Sequence, residues 1–212
     1  MALGSFDYRL QPGRRLIVCG KTGSGKTTFA VKYLMRSPYH WVIFNPKGTT
    51  IYNQLPDLHS IDNKITVAAV QAAIRKHRFI NVKFTSTWNW RYQDLLLQAI
   101  HEEFTNIGFM IDELGKLHAS NGHIGDGLNG LLTRGRELKQ TFIGLVQFPR
   151  YIDRAVFSEA DYLTEFELQL PKDRRVIYEF TGNDTALVQQ RGHNFAFFDL
   201  ASGRATQYRI AA

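Results

Sequence analysis

The residues Gly20, Lys21, Thr22, Gly23, Ser24, Gly25, Lys26 and Thr27 fit G-x-x-x-x-G-K-[ST], and they directly follow the apolar run Leu16-Ile17-Val18-Cys19. That order predicts a strand, a phosphate-cradling loop and the first turn of a helix. Glycine at 20, 23 and 25 opens backbone conformations that turn successive N–H groups inward, toward a polyphosphate. The start of the following helix adds its positive dipole end. Lys26 then reaches the β- and γ-phosphates of a nucleoside triphosphate. The Thr27 hydroxyl ligates the Mg2+ that travels with it, and Thr28 completes the set of nucleotide-contacting residues.

A second chemical cluster lies downstream. Ile107-Gly108-Phe109-Met110-Ile111 is an apolar strand closed by Asp112 and Glu113. An acid at the carboxyl end of such a strand holds a Mg2+-bound water, and the glutamate after it orients and deprotonates the water that attacks the γ-phosphate. Asp112 is therefore assigned to the metal and Glu113 to the base, which favours hydrolysis over mere switching. Gln147 ends the next buried strand. If that strand lies beside the first, its amide faces the γ-phosphate; the alternative is a strand-end amide that satisfies loop backbone. Arg134 and Arg136 lie just upstream of it, where an arginine can project into a neighbouring subunit's nucleotide site and stabilise transition-state charge. A solvated helix face accounts for at least one of the two.

The elements that position these residues alternate between strand-like and helix-like, the pattern of a mostly parallel sheet covered on both faces. Helices are expected at Lys26 to Met35, Val67 to Lys76 and Asn89 to Phe104, with a further one ending near Lys139. Strands are expected at Trp41 to Phe44, Phe79 to Phe84, Ile107 to Glu113, Phe142 to Gln147 and Tyr162 to Leu168. Ser120 to Gly130 reads as a Gly-rich connection. A hairpin is expected around Pro171-Lys172-Asp173, followed by short β pieces at Val176 to Phe180, Phe195 to Phe198 and Gln207 to Ile210, packed on the sheet edge.

With 212 residues, 44% of them hydrophobic and 21% charged, the chain is neither disordered nor membrane-spanning in composition. One α/β domain over residues 1–212 is the simplest partition. No apolar run approaches the ~20 residues that span a bilayer. The first residues lack a signal peptide's basic and apolar regions, so a cytoplasmic, non-secreted protein is expected. The single cysteine, Cys19, falls in the first strand and is expected to pack rather than react. A net charge of +7 favours a polyanionic partner without identifying one.

Four blocks in order resemble the FtsK/HerA superfamily of RecA-like P-loop ATPases. They are Gly20 to Thr27, Asn45-Pro46-Lys47-Gly48, Met110-Ile111-Asp112-Glu113, and Arg134-Gly135-Arg136 leading to Val146-Gln147-Phe148-Pro149-Arg150. The superfamily's second block commonly begins with aspartate, where this chain has Asn45. The resemblance implies a RecA-like (ASCE) fold with a mostly parallel central sheet flanked by helices, and Mg2+-dependent hydrolysis of ATP. The length leaves no room for the accessory domains of cellular members, and so resembles the genome-packaging ATPases of membrane-containing double-jelly-roll viruses. These form homo-oligomeric rings, here expected to be hexamers, at a capsid vertex and drive double-stranded DNA into a preformed shell. The implied places of action are the host cytoplasm and the virion. A cellular or conjugative DNA pump, and an ATPase that drives virion or protein export, are the alternatives.

A pump indifferent to sequence needs phosphate contacts rather than base contacts. Arg75-Lys76-His77-Arg78 is the densest basic cluster, and Lys172, Arg174 and Arg175 form a second on the expected hairpin; both also read as solvated surface. The glycines between Ser120 and Gly130 suggest a mobile, pore-lining loop. His118 and His123 have no Cys or acid at metal-ligand spacing, which speaks against zinc. Trp88 and Trp90 mark core or a helix entrance rather than a base-stacking platform.

Overall fold

The computed structural model describes residues 6–62, 64–84, 89–117 and 123–210. Trp88, His118 and the start of the expected pore loop, Ser120 to Gly122, lie outside the described residues.

The nine described strands join one sheet in the order β3-β4-β2-β5-β6-β1-β7-β8-β9. In chain order they are β1 (Arg15–Cys19), β2 (Trp41–Asn45), β3 (Leu58–Ile61), β4 (Phe79–Lys83), β5 (Gly108–Asp112), β6 (Thr141–Val146), β7 (Tyr162–Glu165), β8 (Asn194–Asp199) and β9 (Arg204–Arg209). Strands β3 to β7 along this order pair in parallel, and β8 and β9 close the edge as an antiparallel hairpin. Strands β1, β2, β5 and β6 are buried along their whole length because both sheet faces are covered, and their middles are apolar. The helices are α1 (Lys26–Arg36), α2 (Val67–Ile74), α3 (Trp90–Glu103), α4 (Asp126–Arg134), α5 (Arg154–Ser158) and α6 (Pro171–Thr181).

The period-2 alternation of the strands sorts the core into two layers. Leu16, Val18, Trp41, Ile43, Met110 and Ile143 pack against Phe29, Ala30, Tyr33 and Leu34 of α1. Phe6 and Tyr8 finish that layer with tilted and edge-on ring contacts to Phe29 and Tyr33. Ile17, Cys19, Val42, Phe109, Ile111 and Phe142 face the other way, into side chains of α2 to α6. Cys19 is fully buried there, as packing requires.

Three sequence expectations fail. Residues 171–181 form α6, not a hairpin and a strand. Pro171 at the first helical turn and Gly182 in the left-handed conformation just past the end are helix punctuation. Asp173 and Ile177, four apart, form the buried stripe, so the β-branched and aromatic run that suggested a strand is half solvated. The second failure is the Gly-rich connection, whose latter part is the first half of α4. Its glycines are contact points: a Cβ on Gly127 would lie 2.2 Å from the Asp94 carbonyl oxygen, and one on Gly130 would crowd His101 at 3.1 Å. The buried Asp94 carboxylate caps α4 by accepting from Gly127 N at 3.0 Å and Leu128 N at 2.9 Å. Residues 126–130 are a packed helix seam, not a mobile loop. Past Arg134 the chain turns, so α4 stops five residues before Lys139. The third is the edge strand β3, which is missing from the expected strands because only Leu58 and Ile61 of its four residues are apolar, and His59 and Ser60 face solvent.

Candidate active site

In a parallel sheet the loops at the carboxyl ends of the strands meet in one crevice. Here β1, β2, β5 and β6 are contiguous in the sheet apart from the order in which the chain visits them, and each delivers a polar group to that edge.

The loop after β1 carries Gly20 to Thr27. Gly23 at φ +77° and Gly25 at φ +102° take backbone conformations that a side chain disfavours. Gly25 is the N-cap of α1, has no side-chain cap, and is followed by no acid in the first turn. The first N–H groups of α1 are thus left for an anion. Lys26 is buried, and its Nζ donates to the carbonyl oxygens of Gly20 at 2.7 Å and Lys21 at 2.8 Å. Burial, reinforced by the nearby Lys47 charge, pulls the Lys26 ammonium down to about 8. Lys21 pairs with Glu167 at 2.7 Å, which ties the loop to the segment after β7. Ser24 is buried with its hydroxyl unpartnered. Thr27 is half-buried and Thr28 exposed at the start of α1.

Asp112 ends β5 and is 3% exposed. Burial raises its pKa, opposed by the Tyr52 hydroxyl and the Lys47 charge. Tyr52 is fully buried near it, with no hydrogen bond to its hydroxyl among the described residues. Neither Tyr52 nor Lys47 was singled out as a site residue from sequence. Glu113 follows at φ +106°, an outlier for a residue with a β-carbon. Its Oε2 lies 2.5 Å from Lys47 Nζ. Gln147, immediately after β6, donates from Nε2 to Thr22 Oγ1 at 2.8 Å, and β6 does lie beside β1.

Lys26, Asp112, Glu113 and Gln147 are therefore brought together. Arg134 and Arg136 are not. They precede β6, at the opposite end of the strands, roughly 16 Å away for a five-residue strand. Arg136 pairs with Asp161 at 2.9 Å, while the exposed Arg134 has no partner among the described residues. Most of the basic cluster at 75–78 is engaged inside the chain: Arg75 with Glu103, His77 with Asp57 at 2.9 Å, and Arg78 with the Ser37 carbonyl. Lys172 and Arg175 are exposed on α6, and Arg174 donates to the Leu168 carbonyl at 3.0 Å. His123 faces Asp153 at 3.8 Å, and Trp90 opens α3, a helix entrance as expected.

No protein-family model matches the chain. Among characterised proteins, DNA packaging ATPase P9 of Enterobacteria phage PRD1 is 28% identical over 180 residues, which cover 84% of this chain and 74% of that protein. Among solved structures, the genome packaging NTPase B204 from Sulfolobus turreted icosahedral virus 2, in complex with ATP-gammaS, superposes with a TM-score of 0.79 at 14% identity over 96% of this chain and 100% of its own. VirB4 of Thermoanaerobacter pseudethanolicus superposes at 0.70 with 10% identity, over 93% of this chain and 89% of that one. The fold is that of the P-loop packaging ATPases, and the resemblance to FtsK/HerA-type viral packaging ATPases carried by the four sequence blocks is borne out.

Proposed function

We propose that the chain is a viral genome-packaging ATPase, a motor that hydrolyses ATP to move double-stranded DNA into a preformed capsid. One observation carries it: a phosphate loop, a buried aspartate and a glutamate converge at one sheet edge in a chain similar to a phage DNA packaging ATPase.

In this reading Lys26 leaves the loop carbonyls for the β- and γ-phosphate oxygens, and the loop N–H groups with the start of α1 hold the rest of the polyphosphate. Thr27 and Asp112 are suited to hold Mg2+. The Asp112 carboxylate is buried without an ion-pair partner among the described residues, the situation in which a buried charge takes a metal. The cation neutralises phosphate charge. The buried Tyr52 hydroxyl lies near enough to Asp112 to favour its charged form. Glu113 aligns a water with the γ-phosphate and accepts its proton, and Gln147, beside Thr22, reads whether that phosphate is present. An arginine from a neighbouring subunit completes the site. Arg134 is better suited than Arg136, which must first leave Asp161. A ring, as a hexamer at a capsid vertex, supplies that neighbour, and duplex DNA passes through it on phosphate contacts. The protein works in the host cytoplasm and the virion. Among the described residues no helix is long and apolar enough to cross a membrane.

Phosphate release from Mg·ATP, measured with and without linear duplex DNA, tests this function. DNA should raise the rate, and raised salt should suppress the stimulation steeply. A rate indifferent to every nucleic acid at low salt would remove the translocase reading and leave a bare ATPase.

A further inference from the structure

The turn Asn45-Pro46-Lys47-Gly48 brings one more charge into the crevice, and the steps above leave it without a task. Lys47 Nζ contacts Glu113 Oε2 at 2.5 Å, with the lysine side chain 43% exposed and the glutamate 12%. The turn is built to hold that lysine in place. Gly48 N donates to Asn45 O at 3.3 Å, and Pro46 pre-sets the bend. The fully buried Asn45 amide accepts from Thr49 N at 3.0 Å and donates to Thr49 O at 3.0 Å and to Asn81 Oδ1 at 3.2 Å. An aspartate has no N–H for the last two contacts, which is a physical reason for asparagine here. On the other side of the pair, the strained backbone of Glu113 aims its carboxylate at the cleft, and such outliers gather at switching sites. Partly exposed ion pairs add little to stability, so two constrained backbones meeting in one are not explained by folding.

We infer that Lys47 is a γ-phosphate-responsive positioning residue that gates Glu113, an inference that rests on the ATPase reading above. Without a γ-phosphate, Lys47 holds the Glu113 carboxylate and keeps it from aligning a water. A bound triphosphate presents a more highly charged group beside Lys26, Lys47 swings to it, and Glu113 is released as the base. A diphosphate offers no such group, so the pair stays closed. Hydrolysis is thereby confined to the triphosphate-loaded state.

The test is titration calorimetry of wild-type protein, Lys47→Met and Lys47→Arg with ATP-gammaS and with ADP, both with Mg2+. Wild type should prefer ATP-gammaS. Lys47→Met should lose about tenfold to a hundredfold of that preference, the worth of one charge-assisted hydrogen bond, with ADP affinity nearly unchanged. Lys47→Arg should recover part of it. A preference that survives in Lys47→Met, or equal weakening for both nucleotides, overturns the inference, since a merely structural lysine gives those results. If the Met variant melts early, the Lys47→Gln variant is read by the same two criteria. Wild-type protein that binds neither nucleotide overturns the ATPase reading itself and the gate with it.

Discussion

The two ends of the parallel strands use the same residue types to opposite effect. At the amino end the carboxylates are paired off, although among the described residues the Arg134 side chain is free and Arg15 Nε and Arg78 Nε are buried without a partner. The Asp161 carboxylate accepts from Arg14 at 2.7 Å, from Arg136 at 2.9 Å and from Arg15 N at 2.9 Å, and Asp57 accepts from His77 and from Arg78 N. At the carboxyl end, polar groups are left short of partners. The Ser24 hydroxyl and both Glu165 carboxyl oxygens are buried and unpartnered, Lys26 is held by loop carbonyls, and Glu113 is strained. Saturated groups fix strands in register. Unsaturated ones are a cost to folding that a ligand relieves, which is why the site belongs to one end only.

The comparison breaks first, and by the widest margin, at Lys26. Lys26→Ala should lower ATP turnover on the order of a hundredfold or more, because the loop then lacks the cation that meets the β- and γ-phosphates. Its melting temperature should change little or rise, since a desolvated charge is removed; a large fall would mean that Lys26 is part of the scaffold. At the other end, Asp161→Ala should cost roughly 2 kcal/mol of stability in denaturant titrations, as two arginines and a backbone N–H lose their acceptor. Nucleotide affinity should not move, and a stable variant with weakened ATP binding would blur the division between the ends.

A pH-dependent effect sharpens the contrast. Burial pushes Glu165 up to about 9, so in the folded chain it stays protonated at neutral pH. The unfolded chain ionises it near the ordinary glutamate value, binding fewer protons than the folded one between about pH 4.5 and 9. Stability from this group is therefore full below pH 4.5 and declines as pH rises across that window. Glu165→Gln should raise stability at pH 8 by more than at pH 5, a difference of about 4 kcal/mol over those three pH units. Equal shifts at both pH values would show that the carboxyl is already ionised or hydrated in the fold.

Much of the site was legible because its chemistry depends on fixed local offsets. A phosphate loop is a run of neighbours, and Asp112-Glu113 and Gln147 close apolar strands that a period-2 reading can place. The strand that carries Gln147 does lie beside β1, as that reading required. Lys47 and Tyr52 escaped because neither has a local signature: each matters through a partner more than fifty residues away in sequence, Glu113 for one and Asp112 for the other. The fold was misread where composition overrode punctuation. In α6 the run Val176-Ile177-Tyr178 masks the helix signals Pro171 and Gly182, and in α4 glycines that serve a close helix contact have the composition of a loop. Strand β3 was hidden because a short edge strand with exposed residues carries almost no hydrophobic pattern.

The account stands or falls on Glu113 as the base of a hydrolytic site. Glu113→Gln keeps the side chain's shape and removes its ability to accept a proton. It should bind Mg·ATP with near wild-type affinity while phosphate release falls at least a hundredfold. Wild-type turnover in that variant would contradict the assignment and the gate built on it.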